Sequence, residues 1–130
     1  MAVGGVVTNN GKNLVLQRLG GSSVTAVDRF KVGTGTTTPV VTDTDVETVE
    51  QIDGSDTKSF VSGYPSFDST AIKWKSRGFI AAGECNGVTL TECGEFNSAG
   101  TCLSHDVFTG VSKSSTDEIA IKWEHVVEDV

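Results

Sequence analysis

The chain has 130 residues and a mass of 13.6 kDa, the size of one domain with a core of its own and no room for a second catalytic lobe. Val, Thr and Gly lead its composition, a strand-and-turn chemistry that excludes a mostly helical protein. A formal net charge of −7 with scattered Lys and Arg argues against nucleic acid or an anionic membrane as partner, and no apolar run approaches the ~20 residues of a membrane-spanning helix.

The N-terminal residues Met1 to Val7 lack a basic start and a long apolar run, so they predict no secretion signal. Thr8 to Gly21 predicts one short helix: Thr8 or Asn9 is the N-cap, Leu14, Val15, Arg18 and Leu19 fall at helical spacing, and Gly20-Gly21 is the stop. Leu14-Val15-Leu16 also fits a buried strand. Val24 to Val32 reads as a strand, ended by Gly33-Thr34-Gly35-Thr36-Thr37-Thr38-Pro39. Residues 40–67 are polar and rich in Thr, Ser and Asp, with a weak apolar edge at Val46, Val49 and Ile52. They are expected to form a long polar loop or an arm that orders against a neighbour.

Ile72 and Trp74 alternate with Lys73 and Lys75, and Phe79 and Ala81 follow Gly78, which predicts a strand bulged or bent at that glycine. Asn86-Gly87 predicts a hairpin through a type I′ turn into a strand carrying Val88, Leu90 and Phe96. Asn97-Ser98-Ala99-Gly100 is a second turn, Cys102 to Phe108 returns, and Ile119, Ile121 and Trp123 share one buried face of a last strand. The acidic residues from Glu124 to Val130 are expected to fray. The sum is a single all-β domain over 1–130, mainly an antiparallel β-sandwich with one short N-terminal helix.

Cys85, Cys93 and Cys102 are odd in number and fit no zinc or CxxC spacing, so they read as free, buried, small apolar residues of a chain made in a reducing cytoplasm. Gly33-Thr34-Gly35 lacks the Lys-Ser/Thr pair of a phosphate loop. Ser104-His105-Asp106 has the residue types of a triad, yet consecutive strand residues point to alternate faces. His105 is therefore expected at the surface or an interface, and His125 in solvent. Asp43, Asp45 and Glu47 resemble the start of a calcium loop, but Thr48 stands where the sharp turn needs Gly, so they read as a solvated acidic loop. Trp74 and Trp123, with Tyr64, could stack on a sugar; their strand positions favour core or subunit contact. No catalytic, cofactor-binding or metal-binding residue is assigned, and no cofactor is implied.

The segment Val32 to Pro39, followed by Asp43-Thr44-Asp45, resembles the "GTGTT-P…TDT" stretch of small β-rich tail or tail-fibre-associated proteins of tailed phages and archaeal tailed viruses. Glu84 to Asn97, Gly100-Thr101-Cys102-Leu103, Asp106-Val107-Phe108, Ser112-Lys113 and Glu118 to Trp123 are similar to that group's "E-NG-TI-E-GLFN…GTLL…-VF…-SK…DEL-I-W" core. The likeness runs in order over residues 8 to 125 and departs at Cys93 and Glu95, where an apolar residue is usual. Glu95 is accordingly expected to face a neighbouring subunit or solvent. The resemblance implies a non-enzymatic virion protein of the tail, baseplate or fibre apparatus, assembled in the host cytoplasm. Its partners would be other copies of itself and other virion proteins, with neither nucleic acid nor membrane. The alternatives are a capsid turret or decoration subunit, a carbohydrate-binding module holding a host-surface glycan, and, last, a small hydrolase using His105 or His125 with Asp106.

Overall fold

Thr8 makes the first joint of the fold: its Oγ1 accepts from the Gly11 amide at 2.9 Å, capping a helix, and donates to the Cys102 carbonyl at 2.6 Å, fastening that helix to a distant strand. The computed structural model describes residues 4–127. In chain order its elements are β1 (Gly4–Val7), α1 (Asn9–Leu19), β2 (Val27–Gly33), β3 (Val49–Glu50), β4 (Lys58–Ser59), β5 (Ser66–Asp68), β6 (Lys73–Ile80), β7 (Thr89–Asn97), β8 (Cys102–Ser112) and β9 (Ile119–His125). The expected helix lies where its caps put it, with Thr8 as N-cap and Gly20 as C-cap. A Cβ at position 11 would lie 2.4 Å from the Leu103 carbonyl oxygen, so only glycine lets α1 sit this close to β8.

The chain is all-β, as expected: the described residues form two antiparallel sheets and one short helix. The large sheet runs β1-β8-β7-β2-β3, with β4 also on β2; the small sheet runs β5-β6-β9. They pack face to face over Phe30, Val32 and Cys93 from the large sheet and Ile80, Ile121 and Trp123 from the small one. Trp123 lies 6.1 Å from both Phe30 and Phe60, ring to ring. Burial of each large apolar side chain here stabilises the fold by roughly 1.5–3 kcal/mol. As expected, Ile121 and Trp123 face the core while Ala120, Lys122 and Glu124 face out, and all three cysteines are free and buried. A smaller apolar group, Val46, Phe96 and Cys102, lies apart from this core.

Three expectations change. No bulge occurs at Gly78, since β6 and β9 stay in register from Trp74↔His125 to Ile80↔Ile119. The glycine serves packing instead: a Cβ there would lie 2.9 Å from the Phe30 ring. Asn86-Gly87 does not close a hairpin, because β6 and β7 belong to different sheets and the turn carries the chain across the sandwich. Buried Lys113 holds that crossing, with Nζ donating to the Ala82 carbonyl and Asn86 Oδ1, both at 3.0 Å. Residues 40–67, read as a polar loop or arm, carry β3, β4 and the start of β5, and place Val46, Ile52 and Phe60 in apolar clusters of the same chain. The Asn97–Gly100 turn does form the β7–β8 hairpin, closed by the Asn97 amide on the Thr101 carbonyl at 3.1 Å. Fraying was expected from Glu124 on, but Glu124 and His125 pair with Lys75 and Trp74 as the end of β9; residues 128–130 lie outside those described.

Gly78→Ala forces a methyl against the Phe30 ring. It is expected to destabilise the fold by about 1–3 kcal/mol in urea unfolding; an unchanged midpoint would show that the ring yields freely.

Candidate functional site

Strand β7 carries two carboxylates, Glu92 and Glu95, both with no solvent exposure. Three residues apart on a strand, they point to opposite faces of the large sheet. Glu92 turns away from the small sheet, toward the segment that begins with the Thr-rich run. Its Oε2 accepts from the amides of Gly35 at 2.6 Å and Thr48 at 2.8 Å, and its Oε1 accepts from the Glu47 amide at 2.7 Å and faces His105 Nε2 at 2.8 Å. His105 Nδ1 faces Asp43 Oδ2 at 2.7 Å. A neutral imidazole has one N–H and could satisfy only one of these carboxylates, so the geometry calls for the imidazolium. Burial by itself would lower the His105 pKa, but the bonds to Asp43 and Glu92 outweigh it and raise it. Burial would likewise raise Glu92, but the Thr48 and Glu47 amides, the His105 ring and the Gly35 amide hold it below the ordinary carboxylate range.

Glu95 turns toward the small sheet and joins the two layers. Its Oε2 accepts from Ser76 Oγ on β6 at 2.6 Å; its Oε1 accepts from Ser104 Oγ on β8 at 2.7 Å and meets His125 Nε2 at the end of β9 at 2.5 Å. Beside it Asp106 accepts from Trp123 Nε1 at 3.0 Å. Burial, reinforced by the Glu95 charge, pushes the Asp106 carboxyl up to about 6, against the lowering effect of the indole bond. Burial opposes the His125 charge, but Glu95 overrides it and raises that pKa. Ser104, Asp106, Trp123 and His125, with Gly5 to Val7 of β1, line a polar pocket of about 260 Å³ at the open side of the sandwich.

These placements settle where each candidate residue goes. Ser104 and Asp106 face the small sheet and His105 the opposite side, so the three consecutive residues are divided as strand alternation requires. His105 is not a surface residue: it is 3 % exposed, because two carboxylates compensate its burial. His125 is only partly exposed, on Glu95 and against the Trp74 ring at 5.5 Å. Glu95 faces neither solvent nor a neighbour, since two hydroxyls and an imidazole satisfy it inside the sandwich. Asp43, Asp45 and Glu47 do not converge as calcium ligands: Asp43 meets His105, Asp45 pairs with Lys31 at 3.0 Å, and Glu47 accepts from the Thr37 amide at 3.2 Å. Trp123 is core, Trp74 is half-buried against Phe60 and His125, and Tyr64 lies under Arg77 at 5.3 Å, so the three form no common platform. Burial raises the Cys93 thiol well above its ordinary value and Cys102 to about 12, which keeps both protonated.

A second surface escaped sequence reading. Leu14, Val15 and Leu19 of α1, with Phe67, Ile72 and Trp74 on the other side, line an open apolar groove of about 610 Å³. The apolar positions that identified the helix do not enter the core. Leu19 is 80 % exposed, because α1 touches the sheet chiefly through Gly11 and leaves its stripe to the groove. No protein-family model matches the chain, nor does any curated protein or solved structure.

Two outcomes follow from the carboxylates. The raised His105 contributes fully below pH 6.5 and loses that contribution as pH climbs through its folded value; the lowered Glu92 contributes fully above 4.5 and loses it on acidification. The fastening of residues 35–48 is therefore firmest between those values, and Glu92→Gln is expected to cost at least about 2 kcal/mol. Faster hydrogen exchange at the Gly35, Glu47 and Thr48 amides reports that loss, and unchanged exchange contradicts it. Asp106 works in the opposite sense: its raised pKa means that the charge costs stability above about pH 6 and nothing below 3.8. Asp106→Asn, which still accepts from Trp123, is expected to stabilise the fold at pH 7.5 by up to about 3 kcal/mol and to give no gain near pH 3.5 in urea titrations. A gain that persists at low pH would rule out charge burial as the cause.

Proposed function

We propose that this chain is a non-enzymatic structural subunit of a tailed-virus particle, placed in the tail, baseplate or fibre apparatus and acting through contacts with copies of itself and with other virion proteins. The observation that carries the reading is the apolar groove beside α1. Leu14, Val15, Leu19, Phe67 and Ile72 form a contiguous apolar surface open to a partner, and a neighbouring subunit is the occupant that assembly supplies. The ordered likeness to small tail-associated proteins supports the same reading. So does the use of the acid–base groups: Glu92, Glu95, His105 and His125 are bound to one another and to the backbone, holding a rigid scaffold in place. The same contacts would serve a capsid turret or decoration subunit.

Mass spectrometry of purified particles tests the proposal. The chain is expected in stoichiometric, multiple copies, cross-linked through groove residues to a neighbour. Its absence from particles purified from cells that produce it would end the reading.

A further inference from the structure

Arg77 on β6 and Lys122 on β9 stand directly opposite each other. Both project from the outer face of the small sheet, because Gly78, Ile80, Ile121 and Trp123 take the inward positions. Like charges at opposed strand positions repel, so this pairing costs the isolated sheet stability. The neighbouring cations are neutralised within the chain, Lys73 by Glu124 at 2.9 Å and Lys75 by Asp68 at 3.1 Å. Among the described residues, Arg77 and Lys122 pair with no carboxylate. The Arg77 guanidinium lies 5.3 Å from the Tyr64 ring, and its buried Nε has no hydrogen-bond partner. Two adjacent cations, one oriented by an aromatic ring and neither compensated, are the chemistry that receives carboxylates. Among the described residues β9 pairs only with β6, so the site borders a sheet edge left open by them.

The same chain presents a matching group elsewhere. Ile52 and Ser55 exchange backbone hydrogen bonds at 2.7 and 3.1 Å around Asp53-Gly54, whose φ values of 50° and 78° are those of a tight two-residue turn. Ile52 is buried and anchors this tip, while Asp53 and Asp56 are exposed and their side chains bind no other described residue. The result is a rigid projection bearing two uncompensated carboxylates, next to the β3–β4 edge of the large sheet.

We propose that the Tyr64–Arg77–Lys122 face receives the Asp53–Asp56 tip of a second copy of this chain. The inference rests on the subunit reading above and names one of its contacts. Two different surfaces meet, so the contact builds a ring or an open filament, or a two-fold dimer when each copy docks on the other. Because it depends on exposed charges, it is sensitive to salt.

Sedimentation velocity of the full chain provides the test. Self-association is expected at about 50 mM salt and dissociation at about 1 M. Arg77→Gln and Lys122→Gln, each checked for an unchanged circular dichroism spectrum, are expected to weaken association by roughly tenfold or more. Asp53→Lys with Asp56→Lys is expected to do the same, and combining it with Arg77→Glu and Lys122→Glu to restore association. A monomer at low salt, or association unaffected by these variants, overturns the proposal. So does Arg77-dependent binding of inorganic polyphosphate by a chain that does not self-associate. Particle mass spectrometry is read separately: a chain present in virions yet monomeric at low salt defeats this contact and leaves the structural role standing.

Discussion

Two carboxylates with no access to water decide how this chain is held together. Glu92 and Glu95 lie in the middle of the large sheet and point through its two faces. A buried carboxylate left alone would cost several kcal/mol or take up a proton. Here each has at least three hydrogen-bonding partners, and those partners come from separate parts of the chain. Glu92 collects the amides of a segment without regular structure and fixes it over one face. Glu95 collects hydroxyls and an imidazole from both sheets and fixes their relative position. Apolar burial supplies the general drive to collapse, and these directional bonds choose which collapsed arrangement is satisfied.

The same arrangement explains why residues with catalytic chemistry occupy structural posts. His105 bridges Asp43 and Glu92, and His125 closes on Glu95, so their charges compensate buried acids. Asp106 is the less settled member: its single bond is to an indole N–H, and the nearby Glu95 raises the cost of ionising it. It borders the polar pocket between β1 and β9, where the two sheets do not close on each other. With the buried carboxylates and histidines engaged, the molecule presents to its surroundings an apolar groove on one side and uncompensated charges on two others, the features on which the proposed assembly role rests.

Several elements were legible from the chain because they depend on local chemistry. The helix was marked by Thr8 and Gly20-Gly21, whose capping bonds span a few residues, and β9 by strict alternation of Ile119, Ile121 and Trp123 with polar neighbours. The Asn97–Gly100 hairpin was legible for the same reason. Gly78 was misread because a glycine needed for an incoming ring and one needed for a bulge look alike until Phe30 is placed. Asn86-Gly87 was misread because a turn preference fixes local backbone shape, and whether the flanking strands pair depends on which sheet each joins. The stretch from 40 to 67 looked like an arm because its apolar residues are sparse, yet Val46, Ile52 and Phe60 suffice to anchor it where a distant carboxylate supplies the amide partners.

By itself, the sequence determined the class of the fold, the single short helix, the burial of the free cysteines and the separation of Ser104 and Asp106 from His105, all consequences of side-chain periodicity and residue-level propensity. Only the tertiary structure decided that His105 and Glu95 lie inside, that the apolar stripe of α1 lies outside, and that Arg77 meets Lys122. Each of these depends on partners tens of residues away, and the free energy of a buried charge or an exposed leucine is set by its neighbours in space.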